Sequence, residues 1–252
     1  MKYGKVRRLI RRVAKKCEDV VYRSRLPPPL ADIASRVRSE RLTYLPYAKL
    51  DKIGGLALFM EAKAISGVFL EAGCALGGSA ILLAAAKRDE RPLLVYDVFG
   101  MIPPPGERDG QDVHDRYRTI ESGKARGLGG DDYYGYMPDL YERVRGNFER
   151  FGHDLEREGI ELHKGLLEDT LVVDQPVALA HIDVDWYDPV RVSLERIWPM
   201  LATGGAIVLD DYFDWSGSRD ATDEFFATRA EEVRFDAVGG SLAAIKVSVG
   251  EK

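Results

Sequence analysis

Two short apolar runs in this chain end in paired acids. The stretch ALAHIDVDWYDP ends its run in Asp183 and Asp185, and GAIVLDDY ends in Asp210 and Asp211. Apolar runs of this length, bounded by polar residues, read as buried parallel strands. In an open α/β sheet, ligands bind beyond the carboxyl ends of the strands. The four carboxylates are therefore expected to converge where chemistry is done. Residues i and i+2 of an extended chain point to one side, which lets Asp183 and Asp185 face one cleft. Such a cluster repels itself unless it is neutralised. A hard divalent cation is the simplest neutraliser, and oxygen-only ligands suit Mg²⁺ or Ca²⁺ better than Zn²⁺. The competing reading is that each Asp only caps the helix that follows. That explains a single Asp more readily than all four.

The elements that position these acids follow from the pattern around them. GVFLEAGCALGGSAILLAAAK reads as a strand over 68–72, a glycine-rich turn, and a helix from residue 78. Gly73, Gly77 and Gly78 allow tight turning and close approach of a ligand to the backbone, and Glu71 sits at the strand end. The turn departs from G-x-G-x-x-G. No Lys-Ser/Thr pair follows the glycines, so it is not a phosphate-binding P-loop. PLLVYD is a second strand, ending in Asp97. An acid there can accept hydrogen bonds from ribose hydroxyls. Each signal has a bland reading, a plain turn or a solvated strand end; together they point to an adenosine-containing cofactor.

Residues 98–139 mix Pro, Gly, charge and aromatics and read as irregular chain. A loop this long inside a compact domain is usually functional, often a lid. Tyr133, Tyr134 and Tyr136 could stack on a sugar or a ring, and His114 could exchange a proton; the same residues could equally be packing or solvated. A helix is expected near 139–151, then the strand IELHKG, the turn LLEDTL and a strand over 177–183. An amphipathic helix in DPVRVSLERIWPML, a strand over 205–210 and a helix over 219–230 follow. Strands VRFDAV and LAAIKVS meet at Gly239-Gly240, a hairpin turn. Upstream, helices are expected over 30–38 and 48–65. This is an α/β chain with seven strands, the last two antiparallel, and no internal repeat or second core.

A chain of 252 residues suits one α/β domain with an extra segment. Net charge is −5 but unevenly placed. Residues 1–40 hold 12 Lys+Arg against 4 Asp+Glu, and the remainder holds 24 against 37. That balance argues against a dedicated nucleic-acid binder. Only Cys17 and Cys74 are present, which makes no disulfide framework and suggests a reducing cytosol. No apolar run has the length of a transmembrane helix, and the basic start lacks the apolar region of a signal peptide. Residues 4–22 place Val6, Leu9, Ile10, Val13, Cys17, Val20 and Val21 at helical spacing among Arg and Lys. That is a basic amphipathic helix. It either packs on the domain or a partner subunit, or touches an anionic membrane surface or substrate. The expected division is a helical segment over 1–45 and a main domain over 46–252, with 98–139 as a lid insertion.

A glycine-rich turn after the first strand, an acid after the second and a terminal hairpin resemble the class I S-adenosylmethionine-dependent methyltransferases, with their Rossmann-like sheet. Within them, FLEAGCALGGSAILLA, YDVFGMIPPP, HKGLLEDTL, HIDVDWYDP and IVLDDY look like the macrocin O-methyltransferase (TylF) family. That family methylates sugar hydroxyls in macrolide, aminocoumarin and related pathways. The five blocks cover roughly 45–230. The resemblance implies a divalent metal, Mg²⁺ above all, on Asp183, Asp210 and Asp211, with Asp185 as general base. It also implies that Glu71, Gly73, Gly77, Gly78 and Ser79 hold the methionine end of the cofactor and Asp97 the ribose. Gly165 to Asp169 would lie near the adenine, and Asp183 beside the cofactor. A homodimer or higher oligomer is implied as well. This chain has Val184 where the family usually has Gly, and Asp188-Pro189 where it often has Glu-Ser.

A sugar hydroxyl is a weak nucleophile at neutral pH. A Lewis-acidic cation lowers its effective pKa and a nearby carboxylate can take the proton. The expected acceptor is a nucleotide sugar, a glycosylated natural product, or an oligosaccharide precursor of a polysaccharide such as a mannoside. Two other readings stay open: a catechol-type O-methyltransferase acting on an aromatic diol, and a non-catalytic nucleotide-binding protein. His114 and His181 are rival bases, since imidazole has a better matched pKa.

Overall fold

Strands β1 (Val68–Ala72), β2 (Leu93–Asp97) and β4 (Val177–Ile182) are buried along their whole length in a computed structural model, which describes residues 26–248. The basic helix expected over 4–22 lies outside these residues. Continuous burial is what a parallel sheet covered on both faces requires. With β3 (Ile160–Lys164), β5 (Leu201–Leu209), β6 (Val233–Asp236) and β7 (Leu242–Lys246), they form one seven-stranded sheet of order β3-β2-β1-β4-β5-β7-β6. Only β7 runs against its neighbours, inserted between β5 and β6. The expected mostly parallel sheet with a terminal antiparallel hairpin is the one found.

Helices cover both faces. On one lie α1 (Pro28–Ser39), α2 (Tyr47–Ala62), α3 (Gly78–Ala86) and α5 (Leu140–Arg150). On the other lie α7 (Tyr187–Ile197) and α8 (Ser216–Phe226). Side chains of β1 alternate between the two cores, Phe69 into the first, Val68, Leu70 and Ala72 into the second. The sequence of α3 is apolar on every side, and all but one of its residues are buried. A helix of that kind must be enclosed, and Leu30, Ala34 and Val37 of α1 join Ile81, Leu82 and Leu83 in the same core. The residues just after Leu26 thus pack into the main body. Pro28 and Pro29 occupy the first turn of α1, where a missing N–H costs nothing; the helix therefore starts before the expected residue 30.

The irregular chain expected over 98–139 is corrected by an eleven-residue helix, α4 (Gln111–Glu121). Only Val113 and Ile120 of α4 are buried. Val113, Tyr117 and Ile120 lie at i, i+4 and i+7, a short stripe overshadowed by the Pro, Gly and charged residues on either side. Ile120, Ala125 and Tyr133 form a small separate core in this insertion. LLEDTL contains a single helical turn, α6 (Leu167–Thr170). Strand β5 starts at Leu201 rather than 205, with a register irregularity against β4 between Val177 and Leu179. No helix among the described residues is long and apolar enough to cross a membrane.

The strand order reverses at β1, whose neighbours are β2 on one side and β4 on the other. Just beyond this point the backbone continues the ladder, Gly73 N–H to the Tyr96 carbonyl at 2.8 Å and Asp183 N–H to the Ala72 carbonyl at 2.9 Å. Gly73 has φ +82°, and a Cβ there would lie 2.0 Å from the Asp183 carbonyl oxygen. Gly73→Ala should therefore cost at least about 2 kcal/mol, from left-handed strain plus overpacking. Urea unfolding measures it; a midpoint equal to the wild type would mean that the two strand ends part freely.

Candidate functional site

A cleft opens at the carboxyl ends of β1 and β4, the switch point where ligands of such sheets bind. It has two chambers. The first, about 220 Å³, is lined by Gly165, Leu166, Ile102, Trp186 and Pro189. The second, about 500 Å³, is lined by Tyr44, Lys49, Arg116, Tyr133, Asp211 and Trp215. Gly73, Asp97, Tyr134, Asp183 and Asp185 line both and form the wall between them.

Asp183, Asp185 and Asp211 offer carboxylate oxygens within 4.8 Å of one another. At an effective dielectric of about 20, two full charges at that spacing repel by roughly 3 kcal/mol. Burial first, then the neighbouring carboxylates, push Asp183 and Asp211 well above the ordinary range. Burial also pushes Asp185 up to about 6, with Arg116 pulling against it. Oxygen-only donors that cannot all ionise in each other's company fit a hard divalent cation. Asp210 is different. Its Oδ2 accepts a hydrogen bond from Lys49 Nζ at 2.8 Å and its Oδ1 one from Ser241 Oγ at 2.9 Å. Burial opposes ionisation of Asp210, but His181 and Lys49 outweigh it and hold the acid below its usual range. With Asp211 and Asp214 it forms a second, overlapping group. The geometry thus places Asp185 with Asp183 and Asp211, and ties Asp210 to a cation of its own.

A buried polar chain runs behind the cleft. Ser79 Oγ donates to Glu71 Oε1, which lies 3.1 Å from His181 Nδ1. His181 Nε2 stands 3.8 Å from Asp210, and Lys49 continues to Asp214 at 2.8 Å. Burial alone would lower the His181 pKa; Glu71, Asp210 and Asp183 reverse this and raise it well above the ordinary value. His181 is fully buried and lines neither chamber.

Asp97 lines the wall, with its Oδ2 accepting from Cys74 N–H at 2.7 Å and Ala75 N–H at 3.2 Å. Burial raises its pKa against the pull of these amides. Ser79 lines the second chamber and Gly165 the first. Gly77 and Gly78 line neither. Gly77 caps α3 in a left-handed conformation, and a Cβ on Gly78 would lie 2.6 Å from the Leu42 carbonyl. Their small size is explained by chain packing. Asp169 is exposed and outside the lining, whereas its neighbour Glu168 lines the first chamber. Tyr133 and Tyr134 reach the cleft, their rings 4.5 Å apart. Tyr136 instead donates its hydroxyl to the Ile120 carbonyl, and His114 lines neither chamber.

Five lining residues had no sequence signal of their own: Tyr44, Lys49, Arg116, Asp214 and Trp215. Lys49 is one of two buried lysines on α2. A lysine at an apolar helical position, i to i+4 from Ile53, was the available sign that an internal acid awaited it.

The model of the macrocin-O-methyltransferase (TylF) family matches residues 39–239. A rhamnosyl-tetracenomycin C 4'-O-methyltransferase of Streptomyces olivaceus is 28% identical over 176 residues, 68% of this chain and 62% of that protein. A demethyldecarbamoylnovobiocin O-methyltransferase of Streptomyces niveus is 28% identical over 169 residues, 65% of this chain and 59% of that protein. The matches therefore span about three fifths of these relatives. Among solved structures, the O-methyltransferase NovP superposes with a TM-score of 0.68 at 20% identity, over 98% of this chain and 100% of the other. The calicheamicin methyltransferase CalS11 gives 0.59 at 16%, over 97% and 91%. The sheet order and these likenesses give a Rossmann-like class I methyltransferase fold. With the family match extending over most of its length, the chain belongs to the macrocin-O-methyltransferase (TylF) family.

Proposed function

We propose that the protein methylates a hydroxyl of a sugar-containing acceptor, using S-adenosylmethionine and a divalent cation, Mg²⁺ first. The observation that carries this is the partly buried carboxylate cluster at the switch-point cleft of a TylF-family chain. The activities of the two Streptomyces relatives, both O-methyltransferases of natural products, support the acceptor class.

The donor supplies an electrophilic methyl group on a sulfonium. The first chamber suits its adenosine end, with Gly165 and Leu166 beneath it and Asp97 placed to accept from ribose hydroxyls. The cleft passes at Gly73 into the second chamber, where Ser79 and the turn amides suit the methionine end. The cation supplies Lewis acidity that lowers the pKa of an adjacent hydroxyl. Asp183, Asp210 and Asp211 are the acids to hold it. Asp211 Oδ2 already accepts from the Asp185 amide and each Asp210 oxygen accepts one bond, but each of these oxygens retains a second lone pair. Asp185 takes the proton of the acceptor hydroxyl on its carboxylate. It lies on the wall between the chambers, between the donor and acceptor spaces. Tyr133 and Tyr134 offer ring faces to the sugar, and the 98–139 insertion excludes water from above.

Two outcomes are expected. Chelation should abolish methyl transfer and Mg²⁺ should restore it; full activity in a metal-free preparation would sink the metal. Separately, Asp185→Asn should lower kcat by about 10²–10⁴-fold with Mg²⁺ and S-adenosylhomocysteine affinities near wild type. Asp183→Asn and Asp211→Asn should weaken Mg²⁺ first. Single-turnover assays and calorimetry on the three variants decide it. An Asp185→Asn protein that loses the metal as severely as the others would make Asp185 a ligand. A catechol methylated in preference to every glycoside would replace the sugar acceptor with an aromatic diol.

A further inference from the structure

The second chamber holds a cation that the chemistry above does not use. Arg116 projects from α4 into it, half-buried. Other arginines in this half of the molecule end on carboxylates, Arg41 on Asp131, Arg108 on Glu224 and Arg150 on Glu40. Arg116 makes no ion pair and no hydrogen bond among the described residues; its guanidinium stands 5.7 Å from the centre of the Tyr133 ring. A half-buried charge without a protein partner calls for a counterpart from a ligand. The aromatic face holds its orientation without satisfying its donors.

The position of Arg116 relative to Asp185 is informative. Arg116 and Asp185 line the same chamber, yet the two form no ion pair. The chamber they share has a volume of about 500 Å³. Tyr44, Ile120 and Tyr133, which carry no charge, line the same chamber, and Tyr133 lies beside Arg116. An acceptor that fills the chamber presents a hydroxyl to Asp185 and another group to Arg116. A planar guanidinium fork matches the paired oxygens of a phosphate or carboxylate, and such charge-assisted bidentate pairs are about twice as strong as neutral ones.

We propose that Arg116 anchors the acceptor, and that it does so through a phosphate or carboxylate group carried by that molecule. The proposal deepens the methyl-transfer reading and rests on it for the identity of the second chamber. It narrows the acceptor to an anionic sugar, either phosphorylated or nucleotide-activated, or a uronide.

The test uses the full chain loaded with S-adenosylhomocysteine and Mg²⁺. The Arg116 Nε–H signal is assigned by its loss in Arg116→Gln and followed by nitrogen–proton NMR. Glucose 1-phosphate, methyl glucuronide and methyl glucoside are added in separate titrations. The expected result is a saturable shift with at least one anion and none with methyl glucoside at the same concentration. Response to the phosphate alone identifies a phosphorylated or nucleotide-activated acceptor, and to the glucuronide alone a uronide. No shift with either anion, or an equal shift with methyl glucoside, overturns the proposal. With an anionic acceptor that turns over, Arg116→Gln should raise KM by about tenfold or more, with kcat little changed and partial recovery in Arg116→Lys. A lower kcat at unchanged KM would mean that Arg116 acts on Asp185, and would also overturn the anchor. A shift with an anion, coupled with methylation of no sugar at all, would keep the anchor and defeat the methyl-transfer reading.

Discussion

Mutual repulsion among partly buried acids is the constraint around which this molecule is built. Asp183, Asp185 and Asp211 would separate if the chain let them. Each is fixed by backbone. Asp183 is bonded through its amide to the end of β1, Asp211 lies within the tight turn Asp210–Tyr212 directly after β5, and the Asp185 amide donates to Asp211 at 3.2 Å. The stiffness that holds the charges together comes from β1, β4 and β5, central strands covered by helices on both faces. A cluster of this kind on a loose loop would open and solvate. On strand ends it stays concentrated, and the cleft keeps its affinity for positive charge.

The same constraint explains why the acids have different surroundings. Lys49 reaches from α2 to Asp210 and Asp214, and Lys52 on the next turn is bonded to carbonyls of Asp236 and Ser241. These lysines anchor α2 across the β5–β7 end of the sheet. Removing one partner from a buried pair leaves an uncompensated charge, at a cost of about 3–5 kcal/mol. Asp210 is therefore a structural acid as well as a candidate ligand. Through His181 and Glu71 it is linked to Ser79 at the start of α3. The two chambers accordingly share one rigid floor.

Much of this was legible in the chain. Strand β1 falls where the apolar run GVFLEA places it, and the paired acids fall at strand ends because strands stop where charge begins. The turn glycines were legible as a turn, but their reason was not. Gly78 is small because Leu42 crosses it, a contact between segments far apart in sequence. Helix α4 was hidden because a helix resting on a small core needs only Val113 and Ile120. Tyr44 and Arg116 were invisible for a related cause: each is ordinary in its own segment and becomes special only when 40–46 and 111–121 meet over the cleft. Local pattern reports which face is buried; it does not report which distant charge or ring will stand opposite.

Asp185 shows how a correct expectation can have a different physical origin. The alternation of an extended strand would place Asp183 and Asp185 on one side, but β4 ends at Ile182, and Asp185 has φ +57°. A left-handed turn gathers the two acids. Residues other than glycine seldom adopt that conformation, at a cost of order 1–3 kcal/mol, and Asp is among those that tolerate it best. The family's usual Gly, one position earlier, is Val184 here, so the turn is made without glycine. The turn directs the Asp185 amide to Asp211, which gives one repelled carboxylate a donor. It leaves the Asp185 carboxylate on the wall that both chambers share. One strained residue thus relieves the cluster on one side and, in the function proposed above, supplies the proton acceptor on the other.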